Sequence, residues 1–258
     1  MKFNIPDPVA FSIGSHPIYW YGILIAVAIL LGTFLVLREA EKLKLNLDHV
    51  LNIIPFVIFA AFIGARLYYV IFQWSQYSRN PLEIFAVWHG GLAIHGGLLG
   101  GFLVGYLLLR KYRINVWQAF DIAAPSIILG QAIGRWGNFF NQEAYGYEVD
   151  PADLPWAMYI DGAYRHPTFL YESLWNLSIF IFLLWLRRRK WIYRGDVFLS
   201  YVVLYSAGRF IIEGFRTDSL MLTGSLRVAQ LVSAVAIVIG LSLLYYRHRN
   251  KVDKADVG

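Results

Sequence analysis

Long apolar stretches recur along the chain, separated by short polar segments. They cover residues 18–37, 50–73, 91–110, 115–140, 167–186, 196–215 and 226–246. Each holds about 20 residues, enough to cross a hydrocarbon core about 30 Å thick. A backbone in lipid must satisfy its own N–H and C=O groups, so the pattern predicts an all-α bundle of seven transmembrane helices. The third and fourth stretches are interrupted by glycine and polar residues, which blurs their ends. Gly97, Gly101 and Gly105 recur every fourth residue in the third stretch, a spacing that lets a neighbouring helix approach closely. The longest connection, Asn141 to His166, carries Glu143, Asp150, Asp153 and Asp161 among aromatics and prolines. It predicts a small ordered cap or an interface element, on a single polytopic domain spanning 1–258.

Charge in the connections sets an orientation. Four alternate connections, the last of them the C-terminal tail, hold fifteen basic residues, including Arg38, Arg110 to Arg113, Arg187 to Lys190 and Arg247 to Lys254. The opposite set holds five: Lys2, Arg79, Arg165, Arg216 and Arg227. The bias of basic residues toward the cytoplasm puts the N-terminus outside and the C-terminus inside, as an odd number of spans requires. Met1 to Pro17 lacks the basic segment, apolar core and small-residue site of a cleaved signal, so the first span is expected to act as an uncleaved insertion signal.

Composition agrees. The 258 residues are 58% hydrophobic and 16% charged, against about 25% charged in soluble domains. In this setting the net charge of +6 reports orientation, and no nucleic-acid partner is expected. With no cysteine, disulfides, thiolate metal sites and a thiol nucleophile borne by the protein are excluded.

The apolar stretches nevertheless contain Arg66, His95, Arg135, Glu172, Arg209 and Glu213. An ionisable group in the bilayer costs roughly 2.5–3.5 kcal/mol on insertion scales, so such groups point to a site. Helix direction puts all six, with Tyr21 and Asn138, in the outer half of the membrane. Asp121 is the exception, near the cytoplasmic start of the fourth stretch, where a helix N-terminus favours a carboxylate. Arg135 and Arg209 suit an anion such as a lipid phosphate, because a guanidinium stays charged when desolvated and offers a fork of donors. Arg209 and Glu213 are also four residues apart on one helix face and suit simple pairing. His95, flanked by Gly96 and Gly97, is placed to take a proton near neutral pH. His89, His95 and His166 match no metal-ligand spacing, Ser206 sits in no nucleophile elbow, and no phosphate-cradling glycine loop is present.

The run GRWGNFFNQEAYG, Gly134 to Gly146, closely resembles the signature of the prolipoprotein diacylglyceryl transferases. WYG at Trp20, GLAIHGG at Gly91, HPTFLYE at His166 and GRFIIEGFRTDSL at Gly208 extend the resemblance in order along the chain. It implies a bacterial inner-membrane enzyme of seven spans with its site toward the outer leaflet. Such enzymes move the diacylglyceryl group of phosphatidylglycerol to the thiol of a lipobox cysteine in a prolipoprotein signal peptide, releasing glycerol 1-phosphate. The resemblance assigns Arg135, Asn138, Glu143 and Gly146 to phosphatidylglycerol binding. It assigns His95, Tyr21, Arg209 and Glu213 to catalysis, and implies neither metal nor organic cofactor. Two other classes stay open on the residues alone: an organic-anion transporter or channel, which needs polar residues through the inner half, and a lipid phosphatase-like hydrolase, which needs a nucleophile or metal motif.

Overall fold

A computed structural model describes residues 7–87, 90–223 and 226–253. Seven helices of 18 to 26 residues account for the apolar stretches: α1 Trp20–Lys42, α2 Leu47–Phe72, α4 Ile94–Lys111, α5 Val116–Asn141, α6 Thr168–Leu186, α7 Asp196–Glu213 and α8 Val228–Arg249. A one-turn helix, α3, Trp74–Tyr77, and a 3-10 turn, Pro81–Phe85, follow α2. Most predicted ends lie close to the observed ones. The exception is α1, which runs on to Lys42 through Arg38, Glu39 and Glu41. Apolarity marks where lipid ends, whereas these residues are good helix formers in water as well.

Five of the seven, α1, α2, α5, α6 and α8, are long and apolar enough to cross a membrane. The other two are 18 residues each: α4 carries His95 and ends on Arg110 and Lys111, and α7 carries Asp196, Arg209 and Glu213. The chain is therefore a helical integral membrane protein.

It divides into two compact units, Leu37–Ala119 and the combination of Met1–Val36 with Phe120–Gly258. In the smaller unit α2 lies directly against α4. A Cβ at Gly96 would sit 2.1 Å from the Gly64 carbonyl oxygen, and one at Gly100 would sit 2.4 Å from that of Ala60. The tightest contact thus falls on Gly96 and Gly100, one residue ahead of the predicted stripe. Gly97, Gly101 and Gly105 face the same helix at 3.3 to 3.4 Å.

The larger unit has its apolar centre where Ala124 and Ile128 of α5 meet Ile179, Leu183 and Leu186 of α6, with Ile192 and Val197 closing it. Asp121 does not serve its own helix. Its two carboxylate oxygens accept from the Gly195 and Phe198 N–H groups at 2.6 and 2.9 Å, capping α7 instead. Among the described residues, three two-stranded antiparallel hairpins decorate this unit: β1 Val9–Ile13 with β2 His16–Tyr19, β3 Met158–Ile160 with β4 Ala163–Arg165, and β5 Met221–Thr223 with β6 Leu226–Arg227. The β3–β4 hairpin belongs to the expected cap. It turns at Asp161-Gly162, both at positive φ, the geometry of the tight turns that match strand twist.

Candidate functional site

The second half of α5 meets the first turns of α6 through a hydroxyl relay. The Trp136 indole N–H donates to Ser173 Oγ at 3.1 Å, and that hydroxyl donates to the Ala132 carbonyl at 2.9 Å. The neighbouring residues, Arg135 and Glu172, meet in the same register. Arg135 Nη2 lies 2.7 Å from Glu172 Oε2.

Glu172 is the centre of the cluster. Its other oxygen, Oε1, accepts from Arg209 Nη1 at 3.1 Å and from Arg216 Nη1 at 3.3 Å. The Glu172 side chain is 5% exposed, while Arg135 and Arg209 keep 20% each. Arg209 reaches Glu213 as well, at 2.7 Å across one helical turn. Arg216 is gripped from behind by Asp218 through Nε at 2.9 Å and Nη2 at 2.7 Å. Burial draws the Asp218 carboxyl upward, but the Arg216 hydrogen bonds and charge together outweigh it and hold its pKa below the usual value. Burial likewise opposes the Arg216 charge, and Asp218, Glu172 and Glu213 more than offset it. Three guanidiniums and three carboxylates thus balance within one patch.

Around this cluster the other candidates fall into two kinds. Asn138 touches the charges: its Oδ1 accepts from Arg135 Nη1 at 3.4 Å, and its amide donates to Glu143 Oε1 at 2.9 Å. Glu143 is held in turn by its own N–H on the Asn138 carbonyl at 3.0 Å. Gly146 and Tyr21 act through shape. Gly146 N–H donates to the His166 carbonyl at 3.0 Å, and a Cβ there would sit 2.6 Å from His166 Cβ and 2.9 Å from the Phe215 oxygen. Three segments cross at that point, so only glycine fits. Tyr21 lays its ring over Gly137, where a Cβ would come within 2.1 Å of it; Trp20 stacks on Phe140 beside it at 5.2 Å.

His95 belongs to the smaller unit, in the first turn of α4, exposed and tilted against Tyr68 at 5.9 Å. In that unit Arg66 is fully occupied in holding the loop before α4. It donates to the carbonyls of Glu83, Ile84, Ala86, Gly90 and Gly91 at 2.5 to 3.4 Å. Gly90 and Gly91 both take positive φ, which frees their oxygens to face one guanidinium. His89 lies outside the described residues. Among the described residues, no group of three or more His, Cys, Asp or Glu is disposed to hold a metal.

Sequence reasoning had no role for Glu172 and placed Arg216 only in a connection. Arg216 stands three residues after Glu213, but beyond the helix no periodicity tells which way a side chain turns.

The model of the family described as prolipoprotein diacylglyceryl transferase matches residues 8–246. Curated relatives named phosphatidylglycerol–prolipoprotein diacylglyceryl transferase, from Staphylococcus aureus strains Newman, USA300 and Mu50, are 52% identical over 254 residues. That alignment covers 95% of this chain and 90% of each relative.

Proposed function

This chain belongs to the prolipoprotein diacylglyceryl transferase family, and on that premise we propose that it transfers the diacylglyceryl group of phosphatidylglycerol to the lipobox cysteine of prolipoproteins, the first step of lipoprotein maturation. One observation carries the proposal into the geometry. Three of the five sequence blocks that resemble the family, at Gly134, His166 and Gly208, meet on the Glu172 carboxylate through Arg135, Arg209 and Arg216.

In the reaction the thiol sulfur attacks the glyceryl carbon that carries the phosphate. A C–S bond forms as the C–O bond breaks, and the electron pair leaves on the phosphate oxygen of glycerol 1-phosphate. Arg135 holds the headgroup, with Asn138 and Glu143 fixing its guanidinium. Arg209, held by Glu213, offsets the charge growing on the departing phosphate, an electrostatic contribution that is often the largest in catalysis. His95 takes the thiol proton, since a free thiol near pKa 8.5 is mostly protonated at neutral pH. Tyr21 shapes the wall over Gly137, and Gly146 holds the loop of Glu143 against α6.

All seven long helices cross the bacterial cytoplasmic membrane in this proposal, with the N-terminus outside and the site toward the outer leaflet. The fifteen-to-five division of basic residues supports that orientation. A transporter reading would need polar groups through the inner half, and its best candidate, Asp121, spends both oxygens on capping α7.

Purified protein in nanodiscs, given phosphatidylglycerol and a lipobox peptide, is expected to release glycerol phosphate and a thioether-linked product. Arg135→Ala and His95→Ala are each expected to abolish transfer while expression persists. No release, with a control enzyme active in the same nanodiscs, overturns the activity; full activity in either variant removes that residue's role.

A further inference from the structure

The two arginines assigned to phosphate are not free to find it. Arg135 rests on one oxygen of Glu172 and Arg209 on the other, at 2.7 and 3.1 Å. Each guanidinium makes a single charge-assisted contact with its own oxygen of the same carboxylate, so the rigid carboxylate fixes the spacing of the two guanidiniums. Glu172 itself has no freedom, being buried in α6 beside the Ser173 relay and held on Oε1 by Arg216. Arg216 has Nε and Nη2 on Asp218 and Nη1 on Glu172. It is a brace for the carboxylate.

The charge count adds a second consequence. Glu172, Glu213 and Asp218 offset the three arginines they touch before any phosphate arrives, and Glu143 stands one hydrogen bond further out on Asn138. An anion entering it competes with Glu172 for the same donors. That competition weakens the grip on a phosphodiester monoanion and weakens it further, in absolute terms, on the phosphomonoester dianion left after transfer. Binding that holds product as strongly as the transition state does not accelerate turnover.

Resting on the assignment of Arg135 and Arg209 to the phosphatidylglycerol phosphate, we propose that Glu172 is a positioning residue with two effects: it sets the spacing of those arginines, and its charge keeps them from retaining glycerol 1-phosphate.

Two variants separate spacing from charge. Glu172→Gln removes the charge and turns one of the two acceptor oxygens into a donor, so that one arginine loses its seat; Glu172→Asp keeps the charge and both acceptors and withdraws them by one methylene. Steady-state assays in nanodiscs measure kcat, KM for phosphatidylglycerol and inhibition by added glycerol 1-phosphate, beside a melting temperature for each protein. In Glu172→Gln, kcat is expected to fall on the order of 10- to 100-fold, the scale of a misplaced catalytic group. KM does not rise, and glycerol 1-phosphate inhibits at a concentration several-fold lower than in the parent. In Glu172→Asp, kcat falls while product inhibition stays at the parent value.

Parent-like kcat in Glu172→Gln overturns the proposal, as does unchanged product inhibition in that variant. So does a kcat loss in both variants that merely follows a lost melting transition. Binding of glycerol 1-phosphate to Arg135→Ala and Arg209→Ala, measured by titration calorimetry in the same nanodiscs, addresses the premise separately. If both bind it as tightly as the parent does, the phosphate assignment fails, whatever Glu172 does.

Discussion

Arg66 and Arg135 look alike in the sequence, each one cation in an apolar run, and the structure gives them opposite work. Arg66 is 5% exposed and spends its guanidinium on five backbone carbonyls of one loop. Arg135 shares a carboxylate with a second arginine and keeps part of its surface open. Lysine has three donors on a single point, so Arg66→Lys cannot span carbonyls that a planar fork reaches together. Arg66→Lys is expected to lower the melting temperature of the protein and to lose transfer only in step with the folded fraction. Loss of transfer at an unchanged melting temperature would place Arg66 in the chemistry. The sequence exposed these residues well, because lipid makes every charge conspicuous. It could not sort them: the partner carbonyls of Arg66 come from a loop without periodicity, and Glu172 is reached from two other helices.

At the scale of elements, helix existence was legible and helix contact less so. Seven apolar runs became seven helices because length and hydrophobicity alone decide that. The glycine stripe on α4 was read one residue off its tightest line. Two adjacent stripes, Gly96–Gly100 and Gly97–Gly101–Gly105, both have the required spacing, and only the position of α2 chooses between them. The difference is measurable. Gly96→Ala puts a methyl group 2.1 Å from a backbone oxygen, whereas Gly97→Ala meets one at 3.3 Å. Gly96→Ala must push α2 and α4 apart and is expected to cost about 1–3 kcal/mol, the usual range for overpacking. Gly97→Ala is expected to cost well under half of that. Thermal unfolding in one detergent compares them, and equal shifts would contradict the packing seen here. The hairpins β1–β2 and β5–β6 went unread because their strands are only two to five residues long, too short to show an alternating pattern.

At the scale of the molecule, the number of crossings decides the side on which every connection lies. Five helices are apolar enough to cross alone, and five is as odd as seven, so the location of the ends does not distinguish the two arrangements. The connections do. With all seven helices crossing, the basic residues of the connections divide fifteen to five. If α4 and α7 lay aside, the same residues would divide twelve to eight, too even to direct insertion strongly. The polar content that lowers the apolarity of α7 has partners: Arg209 is paired with Glu172 and Glu213, and Asp196 lies in hydrogen-bond contact with the His248 imidazole at 2.8 Å. Pairing of this kind reduces the insertion penalty of each charge. Seven crossings are therefore the expected arrangement, and the absence of cysteine makes it directly testable without removing native thiols. Single cysteines at Ser15, Lys111, Asp153 and Lys190, all exposed, would be treated with a membrane-impermeant maleimide. In intact spheroplasts Ser15→Cys and Asp153→Cys are expected to react, and Lys111→Cys and Lys190→Cys only after lysis. Five crossings with the N-terminus outside would invert the last three positions. Five crossings with the N-terminus inside would change Ser15 alone, so the four labels together separate each arrangement from the others.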